Sequence, residues 1–373
     1  MTFDALVIGG GLHGLSAALQ AARRGMKVAL VERDFLGRHA SGATAAGVRT
    51  LGRDPAELPL SLEAAETWHV MEELVGDSCG FHATGQVQVA EDEAAMEKLR
   101  ARVEGLQARG MSHEELIGAN ELKSLVPAMT GPCVGAAWTP RDGAADPHVT
   151  IRAFRTAALA AGVEMHEQCA VTGLSRREGT WIVTTSKGAF EAPVVINAAG
   201  AWSAEIARLA GDPLRLGLKH SMMIVTERAS RVVAPVISAM GRRLSFKQTD
   251  AGTLLIGGGV QGRIHDDGQS AVVDFAALAL ALDTTRRLFP WTEGLRIVRT
   301  WAGMEATTDN HLPIIGFSNR AEGLIHDFGF SGHGFQLVPS VGRVVAELAA
   351  EGHTETDLSA FDPARIELER DAA

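Results

Sequence analysis

The sequence contains no tyrosine and only three cysteines, Cys79, Cys133 and Cys169. Without tyrosine, no phenol can serve as an acid, a base or a binding group at an active site. The cysteines are odd in number, widely spaced and without a CxxC pair, so neither a disulfide framework nor a zinc site is indicated. This cysteine usage fits a reducing compartment, and we predict a cytoplasmic protein without a metal site.

Basic runs and long apolar runs are also missing. The formal net charge is −10, whereas proteins that bind nucleic acids usually display a basic stripe. No uninterrupted apolar stretch reaches the roughly 20 residues needed to span a bilayer. Hydrophobic residues nonetheless make up 46% of the 373 residues, which is enough for one large or two ordinary cores. The sequence therefore predicts a globular protein with no membrane span and no nucleic-acid partner.

The N-terminal segment has the pattern of a dinucleotide-binding βαβ unit. An apolar strand over 3–8 is followed by glycines at GxGxxG spacing, Gly9, Gly11 and Gly14. An apolar-periodic helix and a second strand that ends on Glu32 complete the unit. The three glycines permit a tight turn, close approach of a pyrophosphate and close helix packing. A carboxylate at Glu32 can accept the adenosine ribose hydroxyls and would repel a 2′-phosphate.

A second glycine-rich turn lies near the other end of the chain, at 329–335. A helix is predicted to follow it, from Gln336 or Leu337 to Gly352, with Pro339 tolerated in the first turn. Together the two glycine-rich turns look like two halves of one flavin site.

Segments between the two turns also favour a flavin over a nicotinamide. A long stretch of small residues at 36–49 would let a flat cofactor lie against the backbone. A loop at 140–147 leads into a predicted helix with Asp146 as its N-cap. An apolar strand at 194–196 turns into a helix over 204–210.

On these segments the chain resembles the D-amino-acid oxidase superfamily of FAD enzymes, specifically its glycine oxidase and sarcosine oxidase branch. Beyond the N-terminal fingerprint, five motifs carry the resemblance in order along nearly the whole chain. They are the PxDGxxDP-like loop at 140–147, the NAAGAW run at 197–202, the WAG segment at 301–303, the TxDxxxPxxG run at 307–316 and the GFSGHGFQ turn at 329–336. The segment 246–249 also resembles the β subunits of sarcosine oxidases.

The resemblance implies an α/β fold with a Rossmann-like FAD-binding domain and an inserted antiparallel-sheet substrate domain. The discontinuous FAD-binding domain would take up residues 1–85, 141–212 and 302–373. The substrate domain, which forms a cap over the flavin, would take up residues 86–140 and 213–301.

The resemblance also implies the residues that bind FAD. The C-terminal glycine turn would direct backbone N–H groups and a helix N-terminus at the flavin ring, which gains negative charge on reduction. The cysteine that tethers flavin in monomeric sarcosine oxidases would fall near Ala302, so we predict noncovalent FAD. His333 is expected to pack or hydrogen-bond rather than to act as a base. The predicted cofactor-binding residues are Gly9, Gly11, Leu12, His13, Gly14, Glu32, Arg33, Arg38, Ser41, Ala43, Thr44, Ala46, Gly47, Val171, Ala199, Gly200, Trp202, Gly303, Gly332, His333, Gly334, Phe335 and Gln336.

The implied chemistry is oxidation of a small amine or amino acid, such as glycine, sarcosine or proline. Hydride would pass from the carbon that bears nitrogen to flavin N5, and water would hydrolyse the imine. Because the cofactor carries the difficult step, no acid–base pair is required and no catalytic residue is assigned.

Departures from the family pattern bear on the substrate. The arginine that binds the substrate carboxylate in glycine oxidases is matched by Glu305, which could instead recognise an ammonium or a basic side chain. The arginine of sarcosine oxidases is matched by Arg49, which we predict to clamp the carboxylate. The alternative for Arg49 is a surface ion pair with Glu57 or Asp54. Gln336 replaces a second carboxylate-binding residue and is also predicted to contact substrate.

The electron acceptor stays open. The lysine that promotes reaction with oxygen aligns near Leu255, an aliphatic residue, although Lys247 could substitute for it at the substrate site. Electrons could therefore pass to oxygen, to a quinone or to a partner protein. Two alternatives remain: the flavin subunit of a hetero-oligomeric amine dehydrogenase, and a 2-hydroxy-acid oxidase, which would need a base for the hydroxyl proton. Homo-oligomers and hetero-oligomers are both possible.

Overall fold

The N-terminal strand, Ala5–Ile8, lies inside a six-stranded sheet. This arrangement comes from a computed structural model that describes residues 1–257 and 259–366, so residues 367–373 of the predicted FAD-binding domain lie outside the described part. Neighbouring strands are parallel except for the antiparallel pair at one edge. The order is Ile314–Phe317, Leu324–Phe328, Val194–Asn197, Ala5–Ile8, Val28–Val31 and Glu164–His166.

Helices cover one face of this sheet. Leu12–Arg23, Leu58–His69, Pro147–Ala160 and Gly334–Glu351 contribute buried apolar side chains to the same core. The first and last of these helices pack closely against each other. A Cβ atom added at Gly342 would lie only 2.0 Å from Oγ of Ser16. The two ends of the chain are therefore joined in one domain.

A three-stranded antiparallel sheet covers the other face with the core residues Trp181 and Phe190. Its strands are Gly188–Ala192, Thr180–Thr185 and Val171–Arg177. This layered arrangement confirms the predicted Rossmann-like domain.

An eight-stranded sheet forms the inserted part of the fold. Its pairings are antiparallel except between Val236–Ala239 and Gln86–Ala90, which are parallel. The strand Ile297–Thr307 runs across the predicted domain boundary at 302 and belongs to this sheet over its whole length. The order is Ile297–Thr307, Gly217–Arg228, Thr253–Gly257, Ser245–Gln248, Val236–Ala239, Gln86–Ala90, Gly135–Thr139 and Glu115–Gly118.

Smaller elements connect these layers. Two-stranded pairings join Gly47–Val48 to Gly143–Ala144 and Arg263–Ile264 to Ala271–Val272. The remaining α-helices are Ala40–Ala43, Met71–Val75, Glu93–Gln107, Ala119–Leu125, Ser203–Leu209 and Phe275–Leu288. Short 3₁₀ helices are Gly200–Trp202, Pro290–Thr292, Ser359–Phe361 and Pro363–Ile366. Among residues 1–257 and 259–366, no helix has both the length and the apolar character needed to cross a bilayer.

Local sequence signals predicted the start of one helix and the end of another correctly. Asp146 caps its helix as predicted, because its side chain accepts hydrogen bonds from the backbone N–H groups of His148 and Val149 at 2.8 and 2.9 Å. The last α-helix ends before Gly352, as expected, but begins at Gly334 rather than at Gln336 or Leu337. Pro339 therefore lies in its second turn and not in its first.

Candidate functional site

One cavity of about 1120 Å³ lies between the six-stranded and eight-stranded sheets. Ile8 and Val31, at the carboxyl ends of the first two strands, line it, where ligands of open α/β sheets bind. The volume exceeds the roughly 300–1,000 Å³ of ordinary small-molecule sites. The predicted residues that line it are Gly9, Gly11, Leu12, His13, Glu32, Arg33, Arg38, Ser41, Ala43, Thr44, Gly47, Arg49, Val171, Ala199, Gly200, Trp202, Gly303, Glu305, Gly332, His333, Gly334 and Phe335.

The first glycine turn leaves its backbone open to the cavity. Gly9 has φ of +112°, and a Cβ atom there would lie 2.4 Å from the carbonyl oxygen of Ala198. At Gly11 a Cβ atom would meet only Oγ of Ser41, at 3.2 Å. The N–H of Leu12 donates to Oγ of Ser41 at 2.9 Å. The helix N-terminus therefore offers a cradle for phosphate that a side chain would fill.

Glu32 lies at the end of its strand, as the fingerprint requires. Its Oε2 accepts a hydrogen bond from the N–H of Gly10 at 2.7 Å, and its Oε1 accepts one from the N–H of Asp34 at 2.8 Å. These two bonds fix the carboxylate, and its remaining lone pairs can accept ribose hydroxyls.

Gln269, a residue of the inserted part of the fold, closes the end of the cavity at which Glu32 lies. The guanidinium of Arg33 lies 3.7 Å from the centre of the Trp202 ring. Oε1 of Gln269 accepts hydrogen bonds from Nη1 of Arg33 at 3.0 Å and from Nε1 of Trp202 at 2.8 Å. Sequence analysis did not identify Gln269, because a lone glutamine in a loop carries no motif.

The two glycine turns meet at His13. Its ring stacks on Phe330 with centroids 3.6 Å apart, and its Nε2 lies 3.0 Å from the carbonyl oxygen of Gly334. Burial lowers the pKa of His13 to about 3, so the ring is neutral at physiological pH. The structure thus brings the predicted halves of the flavin site together.

Asp327 was not predicted and lies beside this junction. It is 1% exposed, lines the cavity and finds no hydrogen-bond partner for either carboxyl oxygen within the described residues. Burial raises its pKa to about 8. The sequence did contain a signal for Asp327. It is a polar residue near the carboxyl end of an apolar strand, and a glycine turn follows that strand directly.

Asp142 positions the segment that carries Arg49. Its carboxyl oxygens accept hydrogen bonds from the N–H and Oγ1 of Thr50, both at 2.8 Å, and from the N–H of Leu51 at 2.9 Å. The guanidinium of Arg49 lines the cavity and makes no hydrogen bond or ion pair with any residue that the structure describes. The surface ion pair considered for Arg49 is therefore not formed within the described residues, although Glu57 is close enough to act on it. Burial lowers the pKa of the Arg49 guanidinium, and the charges of Asp142 and Glu57 act in the opposite direction.

A second arginine, missed in the sequence, lies beside it. Arg53 is 2% exposed, donates from Nε to the carbonyl of Arg49 at 3.0 Å and leaves Nη1 buried without a described partner. Its Nη2 donates to the carbonyl of His333 at 3.3 Å. Nδ1 of His333 lies 3.4 Å from Oε2 of Glu57, and burial lowers the pKa of His333 to about 4. His333 is therefore neutral and held within this network.

Glu305 faces the cavity from the strand Ile297–Thr307. Its Oε1 accepts a hydrogen bond from Oγ of Ser221 at 2.5 Å, and a Cβ atom on Gly332 would lie 3.7 Å from the same oxygen. Burial raises its pKa, while Lys219 acts in the opposite direction. The carboxyl thus stands next to the C-terminal glycine turn.

Four predicted site residues lie outside the cavity lining. Gly14 packs against the first turn, since a Cβ atom there would lie 2.0 Å from the carbonyl oxygen of Gly9. Ala46 is buried and its carbonyl accepts from the N–H of Ala145 at 2.9 Å.

The other two were predicted to touch substrate. Nε2 of the fully buried Gln336 donates to the carbonyl of Ser61 at 2.6 Å. Nζ of Lys247 donates to the carbonyl of Ala145 at 3.1 Å, and burial lowers its pKa to about 8. Both side chains are held away from the cavity by hydrogen bonds to backbone that the sequence did not reveal.

The eight-stranded sheet supplies further lining residues that sequence analysis missed. They share a polar or charged side chain on or next to a strand of that sheet, a pattern that is common on solvated strands and so gave no specific signal. They are Gln86, Gln88, Lys219, His220, Arg242 and Arg243.

Comparison with known proteins supports the same assignment. The family model described as DAO, FAD dependent oxidoreductase, matches residues 4–348. Mitochondrial sarcosine dehydrogenase of Mus musculus is 28% identical over 98% of this chain, which spans only 41% of that protein. The β subunit of sarcosine oxidase from Rhizobium meliloti is 24% identical over 98% of this chain and 88% of that protein. The crystal structure of L-proline dehydrogenase from P. horikoshii superposes with a TM-score of 0.90 at 28% identity, covering 97% of each chain.

The described residues fit an FAD molecule. The open backbone at Gly11, the carboxylate of Glu32 and the meeting of both glycine turns at His13 lie along one cavity. The predicted superfamily and fold class are confirmed. The chain belongs to the DAO family of FAD-dependent oxidoreductases.

Proposed function

We propose that this chain oxidises a small amine or amino acid to an imine with noncovalently bound FAD. One observation carries the proposal: Arg49 lines the cavity that both glycine turns share, and its guanidinium makes no hydrogen bond or ion pair within the described residues. The names of relatives, which include a sarcosine dehydrogenase and an L-proline dehydrogenase, agree with this substrate class.

FAD held by the two glycine turns and Glu32 would supply the two-electron acceptor for oxidation of the amine, and water would then hydrolyse the imine. The residues of the chain bind and orient the substrate. Arg49 binds a substrate carboxylate through two parallel N–H donors, which fixes both position and direction. Asp142 is a positioning residue, since it holds the backbone at Thr50 and Leu51.

Glu305 binds the nitrogen end of the substrate. Its carboxyl accepts an N–H from the amine while the hydrogen bond from Ser221 keeps it in place. A carboxylate and a guanidinium that line the same cavity are complementary in charge to the ammonium and the carboxylate of an amino acid. His13 and His333 are neutral and held by other contacts, so neither is assigned a proton-transfer role.

A second candidate function is oxidation of a 2-hydroxy acid. Nε2 of His220 is buried without a described partner and its side chain lines the cavity. An imidazole in that position could accept the hydroxyl proton that alcohol oxidation releases.

Anaerobic mixing of the purified, flavin-loaded protein with amines and hydroxy acids separates these functions. Bleaching of the flavin absorbance by sarcosine, glycine or proline, but not by lactate or glycolate, supports amine oxidation. Bleaching by hydroxy acids alone contradicts it.

Admission of air then reports the acceptor. Rapid return of the colour identifies oxygen, whereas slow return supports a quinone or a partner protein, in line with the subunit character of one relative. Acid precipitation tests noncovalent binding, because the colour should pass into the supernatant.

A further inference from the structure

We propose that the substrate carries two carboxylates, the inner one bound by Arg49 and Arg53 and the outer one by Arg243. This inference rests on the proposed amine oxidation and specifies its substrate class. The substrate would be an amine that bears a second carboxylate beyond the one the reaction requires.

The charge of the cavity contrasts with that of the whole chain. The formal net charge of the protein is −10. One part of the cavity is lined by the eight-stranded sheet and by the segment that carries Arg49. In that part the lining residues include five cationic side chains and one carboxyl, that of Glu305. These cations are Arg49, Arg53, Lys219, Arg242 and Arg243. An acidic protein that concentrates cations around one cavity attracts anions there.

Not all of these cations are available to a ligand. Arg242 is paired with Glu91 and donates to the carbonyl of Thr284 at 2.7 Å. Nζ of Lys219 donates to the carbonyl of Ser331 at 3.1 Å. These two side chains are held by the protein itself.

The other three have donors to spare. Arg49 and Arg243 make no side-chain hydrogen bond or ion pair within residues 1–257 and 259–366, and Nη1 of Arg53 is buried without a described partner. Burial lowers the pKa of Arg53 to about 9, repulsion by the charge of Arg49 acts in the same direction, and Glu57 and Asp142 act in the opposite direction. A bound anion would relieve this repulsion and satisfy the orphaned donor.

The free cations lie on different elements. Arg49 and Arg53 belong to the segment that Asp142 fixes, after the strand Gly47–Val48. Arg243 is exposed and lies in the connection between the strands Val236–Ala239 and Ser245–Gln248. Arg49 and Arg53 are neighbours on one segment and can bind the same carboxylate, whereas Arg243 lies on a separate, exposed connection and is left for a second carboxylate.

Side chains of the strand Gln86–Ala90 join the two regions. Gln88 lies near the Arg49 segment, since a Cβ atom added at Gly52 would lie 3.9 Å from Oε1 of Gln88. The strand that carries Gln88 pairs with Val236–Ala239, the strand that precedes Arg243. Oε1 of Gln86 and Oε1 of Gln88 are both buried without a described partner. Between the two cationic regions the cavity is therefore lined by polar side chains that carry no negative charge to repel a carboxylate.

Matched ether analogues, which cannot be oxidised as amines, test the inference in the flavin-loaded protein. Diglycolate corresponds to iminodiacetate, and methoxyacetate corresponds to sarcosine with one carboxylate. Titration followed by the flavin absorbance gives both dissociation constants. We expect diglycolate to bind at least about tenfold more tightly, with an advantage that shrinks as salt is added.

Variants locate the second carboxylate. Arg243→Gln should remove most of the diglycolate advantage, and Arg243→Lys should retain part of it, because lysine keeps the charge without the fork. Arg109→Gln is the matched control, since Arg109 is exposed and lies outside the cavity lining.

Equal affinity for the two analogues, or an advantage that survives Arg243→Gln, overturns the inference. Flavin bleaching by iminodiacetate or glutamate more efficiently than by sarcosine supports it, and the two compounds distinguish secondary from primary amines. Bleaching by sarcosine without any preference for dicarboxylates rejects this inference and leaves amine oxidation standing. Absence of bleaching with every amine rejects the proposed function itself.

Discussion

Oδ1 of Asp327 lies 3.7 Å from Nδ1 of His13, and neither atom has a hydrogen-bond partner within the described residues. Burial holds the imidazole neutral and the carboxyl protonated at pH 7, because it lowers the pKa of one group to about 3 and raises that of the other to about 8. An ion pair does not form here despite the short distance. The end of the cavity at which the two glycine turns meet is therefore electrically neutral.

The Asp327 carboxyl makes stability depend on pH. Its pKa is about 8 in the folded chain and near the ordinary 3.8 when unfolded, so the folded state holds an extra proton between these values. The free energy of unfolding should therefore fall as pH rises from about 4 to 8. Asp327→Asn removes this pH-dependent loss of stability. Without flavin, the melting temperature of the variant should be a few degrees above that of wild type at pH 8 and little different at pH 5. If the melting temperatures of variant and wild type differed equally at pH 5 and pH 8, Asp327 would not be protonated as assigned.

Arg49 should dominate binding of the substrate carboxylate. Hydrogen bonds to charged groups are worth about 1.5–3 kcal/mol, so Arg49→Ala should raise KM roughly 10- to 100-fold. Arg49→Lys should restore part of the loss. Arg152→Ala is the control, because Arg152 is exposed on the helix Pro147–Ala160 and does not line the cavity. Unchanged steady-state kinetics in Arg49→Ala would remove the residue from this role.

Glu305 should act on the nitrogen end of the substrate. Glu305→Gln keeps a side-chain oxygen for Ser221 but removes the negative charge, so kcat/KM for amines should fall several-fold. Methoxyacetate, which has a carboxylate and no amine, should bind the variant as well as wild type or more tightly. Weaker methoxyacetate binding would show instead that Glu305 supports the site structurally.

Burial of Glu305 also makes amine binding depend on pH. Because the pKa of Glu305 is raised, its carboxyl takes up a proton at higher pH than an ordinary glutamate. Amine binding should then weaken as pH falls through that raised pKa. A plot of kcat/KM against pH should lose this acidic limb in Glu305→Gln.

Local patterns predicted the parts of the fold that local physics determines. The glycine spacing, the position of Glu32 and the Asp146 cap depend on neighbouring residues, and the structure shows each where it was expected. The start of the last helix was wrong by two or three residues; Gly334, where it begins, contacts His13 from the far end of the chain, which local sequence does not record.

Residues that tertiary packing brings to the cavity were not predictable in this way. Gln269 and Arg243 reach it through loops of the inserted part of the fold, and no spacing in the sequence records that approach. Gln336 and Lys247 show the converse, since aligned positions suggested substrate contact while hydrogen bonds to Ser61 and Ala145 hold them elsewhere.

Titration of the flavin-free chain with FAD tests the central claim most directly, namely that the two glycine turns enclose one dinucleotide. Quenching of flavin fluorescence should saturate at one FAD per chain, and Gly11→Val should weaken binding strongly because its side chain would occupy the phosphate cradle. A chain that fails to bind FAD, or that binds NAD in its place, would contradict the account.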